Sequence, residues 1–170
     1  IFLFREGAQT ADLTLSGNAD VLSVRTNDAG WVAVTAQQSG YKGAVTVYNT
    51  EGEKAIQISL SSTFVVDAAI SPDSKTVAVL TIDQEGGSFH SRVWFYPVNR
   101  TEPSAKLDLG NVVVLDMDFE SDRLFLLCND RLLTTDVKAE NIASYAFGHQ
   151  HLKGYSLRGD GFALLLMSSY

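Results

Sequence analysis

The chain has 170 residues, 45% hydrophobic and 19% charged, a composition that fits one folded domain and excludes a disordered segment. Thirteen Lys and Arg face twenty Asp and Glu, giving a formal net charge of −7. No basic cluster could replace the counterions of a phosphate backbone, which excludes nucleic acid as a partner. No apolar run approaches the ~18 residues that a spanning helix needs, so this segment itself is expected to make no membrane contact.

No window sustains an i, i+3, i+4, i+7 apolar pattern, so essentially no helix is expected. Short β-rich runs bounded by Gly, Asn, Asp and Ser recur instead. In chain order, a leading pair covers Ile1–Phe4 and Ala11–Leu15. A first group of four follows at Val21–Thr26, Trp31–Ala36, Ala44–Asn49 and Ala55–Leu60. The second group is Phe64–Ile70, Thr76–Ile82, Ser91–Val98 and Ala105–Leu109. The third is Val112–Phe119, Arg123–Asn129, Leu132–Asp136 and Ile142–Phe147, with a trailing pair at Leu152–Leu157 and Gly161–Ser168.

In each group an acidic turn separates the first strand from the second. The turns are Asn27-Asp28-Ala29-Gly30, Ser71-Pro72-Asp73-Ser74-Lys75, Glu120-Ser121-Asp122-Arg123 and Arg158-Gly159-Asp160-Gly161. Asp28, Asp73, Asp122 and Asp160 lie 45, 49 and 38 residues apart and are read as structural turn residues. Self-similarity at roughly 40–50 residues with hairpin punctuation is the signature of propeller blades. The fold class is therefore all-β: a β-propeller, or an arc of one, built from four-stranded antiparallel blades, with about four blades' worth of strands. The blades run over 21–63, 64–111 and 112–151, with halves at 1–20 and 152–170. Two closures are open. The leading pair zips against the trailing pair to close a ring, or the chain is an arc of a larger ring, which the abrupt apolar ends favour.

The Ser71-Pro72-Asp73-Ser74-Lys75-Thr76-Val77-Ala78-Val79 stretch resembles the turn-and-strand motif of WD-repeat, TolB-like and quinoprotein-like propellers. The Trp-Asp and Gly-His dipeptides of WD repeats are missing, and Trp94-Phe95 stands where the former would be. As a whole the chain is most similar to a family of bacterial propeller proteins whose own function is unknown. That resemblance implies an extracytoplasmic propeller, membrane-anchored through an N-terminal segment that lies upstream of this sequence.

Candidate chemistry is sparse. Asp67 and Asp116 each stand six residues before a turn aspartate, which places them at one level of the innermost strands. With Asp118 they are candidates for an acidic, cation-binding throat; the plainer reading is that they bond neighbouring backbone or channel water. Leu22 and Gly154 occupy the same count in the other repeats, so a full carboxylate ring is not expected. His149 and His151 form the one close histidine pair and are metal candidates, although Gly148–His151 reads as a solvent loop. No Gly-x-Ser-x-Gly elbow or phosphate cradle is present, so no catalytic residue and no cofactor are assigned. Cys128, inside an apolar strand, reads as a small buried hydrophobe. The expected function is a non-catalytic binding or scaffolding propeller for a protein, peptide or glycan. A cation-binding propeller, and a hydrolase or lyase completed by further blades, are the alternatives. Binding is expected through the longer loops Gln37–Gly43 and Asp83–His90 together with Gly148–His151.

Overall fold

Period-two alternation of apolar and polar residues, broken by turn residues, produces a succession of antiparallel strands. The computed structural model describes residues 1–13, 19–158 and 161–168. Within them sixteen strands follow one another: β1 (Phe2–Arg5), β2 (Ala8–Asp12), β3 (Val21–Thr26), β4 (Val32–Ala36), β5 (Gly43–Tyr48), β6 (Lys54–Leu60), β7 (Phe64–Ile70) and β8 (Thr76–Glu85). The series continues with β9 (Ser88–Pro97), β10 (Ala105–Gly110), β11 (Val114–Glu120), β12 (Arg123–Cys128), β13 (Arg131–Thr135), β14 (Ala143–Ala146), β15 (Gln150–Arg158) and β16 (Gly161–Ser168). No described residue is helical. No helix among them is long and apolar enough to cross a membrane.

Three four-stranded meanders, β3 to β6, β7 to β10 and β11 to β14, form successive blades, and β1–β2 and β15–β16 form separate two-stranded sheets. The leading and trailing pairs thus do not zip together. Asp160 lies outside the described residues.

The blades stack through alternating side chains. In β9, Tyr96 and the partly buried Trp94 face the first blade, where they meet Val45, Val47 and Ile58. Phe95, between them, points the other way and is fully buried against Met117, Leu124 and Leu126 of the third blade. A third cluster joins Leu127, Leu132 and Phe147 to Leu152, Leu164 and Leu166 of the trailing pair. Cys128 is buried in the second interface, and that burial pushes its thiol up to about 12.

The expected loop at Asp83–His90 is instead a strand ribbon. Asp83 pairs with His90, Gln84 with Phe89 and Glu85 with Ser88. Gly86 and Gly87 close it as a two-residue turn with φ of 59° and 84°, values that suit glycine and match the twist of a hairpin. Arg92 holds the ribbon by pairing with Asp83 at 2.7 Å, with Asp108 at 3.0 Å and with Glu85.

One buried group is left without a partner. Thr35 Oγ1 is sealed within β4 and makes no hydrogen bond among the described residues. Thr35→Val keeps the shape and removes the orphaned hydroxyl, so it is expected to stabilise the fold by about 1 kcal/mol in denaturant titration.

Candidate functional site

Each innermost strand carries one extra residue. The register of β3 against β4 shifts between Val21 and Ser23, and that of β7 against β8 between Val65 and Asp67. The same shift occurs between Val114 and Asp116 in β11 and between Leu152 and Gly154 in β15. Leu22, Val66, Leu115 and Lys153 are the bulged residues. A bulge bends its strand and re-aims a side chain, and in the three full blades it turns an aliphatic residue outward. Leu22, Val66 and Leu115 are 48%, 41% and 49% exposed and line one cavity of about 410 Å³.

The bulges also correct the alignment by level. Counting back from the turn aspartate places Leu22 beside Asp67 and Asp116. Asp28 stands one residue nearer the bulge than Asp73 and Asp122 do, so the true equivalent is Ser23. In that turn the capping group is Asn27, whose Oδ1 accepts the Trp31 N–H at 2.9 Å, rather than Asp28. Asp73 does cap its own turn, accepting from Ser71 Oγ at 2.7 Å and from the Lys75 N–H at 3.1 Å. The Ser71 bond, the larger cause, holds its carboxyl below the ordinary value. In the third blade the turn narrows to Ser121-Asp122, with Ser121 at a φ of 54°.

Just below the bulged residues, Asp67 and Asp116 meet at a cation that the chain itself supplies. Arg25 on β3 donates from Nη2 to Asp67 at 2.8 Å and to Asp116 at 2.6 Å, and from Nε to Asp67 at 3.1 Å. Ser23 Oγ donates to Asp67, and the Ala68 and Met117 N–H groups donate to Asp67 and Asp116 at 2.9 Å. Tyr155 of β15 lies close enough to feel Asp116, and burial followed by that carboxylate's charge raises the phenol's pKa. The Arg25 pKa is raised above its ordinary value, chiefly by the hydrogen bond to Asp67. The network therefore ties the three full blades together. A guanidinium fills the position that an acidic throat would offer to a metal ion, which revises the cation reading of Asp67 and Asp116.

Asp118, two residues along β11, stands apart from this cluster. It lines a second cavity of about 440 Å³ with Thr26, Asn27, Asp28 and Pro72. Its Oδ1 accepts the Phe119 N–H at 2.8 Å, yet burial raises its pKa above the ordinary carboxyl value. The histidines do not converge. His149 lies in a turn, His151 within β15, and His90 pairs with Asp108 at 3.6 Å on the second blade's ribbon. Gly148–His151 is therefore only partly a loop, since Gln150 already opens the strand. Among the described residues no group of three His, Cys, Asp or Glu could hold a metal ion.

The expected Gln37–Gly43 loop does bound a large recess. Gln37, Gln38, Ser39, Tyr41 and Lys42 line a cavity of about 850 Å³ with Leu22 and Phe64. Leu22 lines both this recess and the bulge-lined cavity, so the two adjoin at that side chain. Lys42 Nζ lies 4.8 Å from the Phe64 ring centre, holding one wall by a cation–π contact. The counting argument missed Arg25 because a basic residue in an exposed-looking strand gives no sign of its partners. The bulges leave no mark in composition either.

Comparison with known proteins agrees with this architecture. Residues 6–148 match the model of a family described as a family of unknown function (DUF5711). No curated protein matches. Among solved structures, a chain of the mitotic checkpoint complex is 16% identical over 96% of this chain and 54% of its own length, with a TM-score of 0.64. The Cps50 (Swd1) β-propeller domain of Myceliophteria thermophila is 11% identical over 88% of this chain and 49% of its own, at a TM-score of 0.58. The β-propeller domain of the Trilobed protease from Pyrococcus furiosus, described as having an open velcro topology, is 15% identical over 78% and 44%, at 0.55. These likenesses establish the β-propeller fold, and the chain spans about half the length of each.

The raised pKa of Asp118 makes a pH prediction. Its folded-state pKa exceeds the unfolded value, so the group's contribution to stability falls as pH rises through the raised pKa and stays unfavourable at neutral pH. Asp118→Asn keeps the acceptor for Phe119. It is expected to raise Tm at pH 7, with the gain vanishing below pH 3.8, the ordinary carboxyl value.

Proposed function

We propose that this chain, which belongs to the DUF5711 family of unknown function, is a non-catalytic binding propeller that takes a protein segment at the bulge-lined mouth of its channel. The observation that carries the reading is the equivalent placing of Leu22, Val66 and Leu115. Three bulges at one level turn aliphatic side chains into a single cavity beside solvent. Unrelated local accidents do not repeat in register, and exposing three such residues costs hydrophobic free energy that binding would return.

The chemistry of the mouth suits an apolar anchor side chain. Val24, Val114 and Met117 extend the apolar lining inward, while the Arg25 network closes the bottom with charges already paired among themselves. A ligand therefore meets little unpaired charge to desolvate. The adjoining recess offers the amide of Gln37, the amide nitrogen of Gln38 and the hydroxyl of Tyr48 as hydrogen-bonding groups for an extended backbone. The same proposal places the propeller outside the cytoplasm of a bacterium, anchored through an upstream segment. The resemblance of its turns and strands to anchored bacterial propellers supports that location.

The test is selection of linear peptides from a random library on the immobilised chain. Binders are expected to share an apolar anchor and to lose at least tenfold in affinity on Val66→Asp or Leu115→Asp, with Tm unchanged. Binders indifferent to both substitutions would place recognition elsewhere.

A further inference from the structure

We propose that Lys153 makes the channel mouth selective for a peptide segment that carries an aspartate or glutamate side chain beside its apolar anchor. This inference rests on the mouth being the binding site and adds the charge of what it binds. Its starting point is the fourth bulge. Leu152 pairs with Leu166 and Gly154 with Leu165, so Lys153 is the extra residue of β15, as Leu22, Val66 and Leu115 are of β3, β7 and β11. β15 takes the next place around the channel. Leu152 packs against the cluster of Leu127, Leu132 and Phe147 in the third blade, and Tyr155 lies close enough to feel Asp116. The inner strands therefore carry three aliphatic side chains and one ammonium at the same register position.

Lys153 is available to a ligand. It is exposed, and no carboxylate pairs with it among the described residues. Other cations of the chain are already engaged: Arg25, Arg92 and Arg131 by carboxylates, Lys42 and Lys106 by aromatic rings. Room is left for an incoming group as well. At the level of the Arg25 network the inner strands hold Ser23, Asp67 and Asp116, but β15 holds Gly154. A methyl group on Gly154 would meet only Leu165, at 4.0 Å, so the position next to Lys153 is open.

The charge below the mouth decides where an acid group can sit. Arg25 sets one positive charge against the two negative charges of Asp67 and Asp116, which leaves an excess of one negative charge under the three full blades. A ligand carboxylate is repelled there and attracted beside Lys153. The segment is therefore held in one direction, with its backbone over the recess of the first blade, its anchor in the mouth and its acid group over β15. A lysine ammonium is a compact point charge on a flexible stem, suited to following a side-chain carboxylate rather than to fixing a planar group in a fork. At a solvated rim such a pair adds modest affinity, and its main effect is selectivity, because the wrong sign of charge meets an unpaired cation.

The experiment selects peptides from one random library on the unaltered chain and on its Lys153→Glu variant, then resynthesises them with free and amidated C-termini. The unaltered chain is expected to return an apolar anchor flanked by Asp or Glu, and Lys153→Glu the same kind of anchor flanked by Lys or Arg. Acidic peptides are expected to lose about fivefold in affinity on Lys153→Met, equally with free and amidated ends. Tm is expected to stay unchanged in both variants, since the side chain is exposed. If both selections return the same peptides, all sensitive to Leu115→Asp, the charge assignment is overturned while the mouth remains the binding site. Basic residues beside the anchor on the unaltered chain overturn it too. Loss of binding on amidation alone assigns the carboxylate to a chain end and overturns the side-chain source. Peptides without an apolar anchor, indifferent to Leu115→Asp, overturn the mouth reading and this proposal with it.

Discussion

Two carboxylates brought to the same level of neighbouring inner strands repel one another unless a cation stands between them, and Arg25 is that cation. Its planar, forked donors reach Asp67 and Asp116 together, which the single ammonium of a lysine would do poorly. Ser23 and backbone N–H groups also donate to these carboxylates. Partly buried charges earn net stability only when so fully bonded, because removing them from water is costly. Since the partners come from three blades, the network sets how those blades sit around the channel. The interblade cores supply most of the favourable energy but little directional preference.

The bulges link this network to the surface. Each inserts one residue just before the network level, so the side chain there leaves the blade interface and turns toward the channel mouth. The same backbone irregularity therefore seats Ser23, Asp67 and Asp116 at one level and presents Leu22, Val66 and Leu115 to solvent. The positioning of the paired charges and the exposure of the aliphatic rim have one cause. A binding face built this way rests on strands rather than mobile loops, which suits a preorganised recognition surface. The loop Gln37–Gly43 then adds a wall rather than the whole site.

Much of the architecture was legible in the sequence because turn chemistry is local. Asn27, Pro72, Asp73 and the Gly residues mark hairpins whatever surrounds them, and the alternating runs between them give the strands. Trp94, Phe95 and Tyr96 divide between two interfaces because successive side chains of a strand point to opposite faces. The site was less legible. Asp67 and Asp116 stood out by spacing, but their partner Arg25 is 42 and 91 residues away. Asp28 stands five residues after the network level where Asp73 and Asp122 stand six, so the count from the turn fell on Leu22 instead of Ser23. The charged stretch around Gly86-Gly87 read as a loop because its strand character depends on Arg92, whose three carboxylate partners come from β8 and β10.

The most direct measurement is a double-mutant cycle between Arg25 and Asp116, with Arg25→Ala, Asp116→Ala and the double variant compared by denaturant unfolding. If the guanidinium neutralises the paired carboxylates across blades, the coupling is about 1–3 kcal/mol, allowing for the partial exposure of Arg25. Each single variant would then cost more than its own contacts explain. Additivity within about 0.3 kcal/mol would contradict this, leaving the arginine beside the carboxylates without holding the inner strands together.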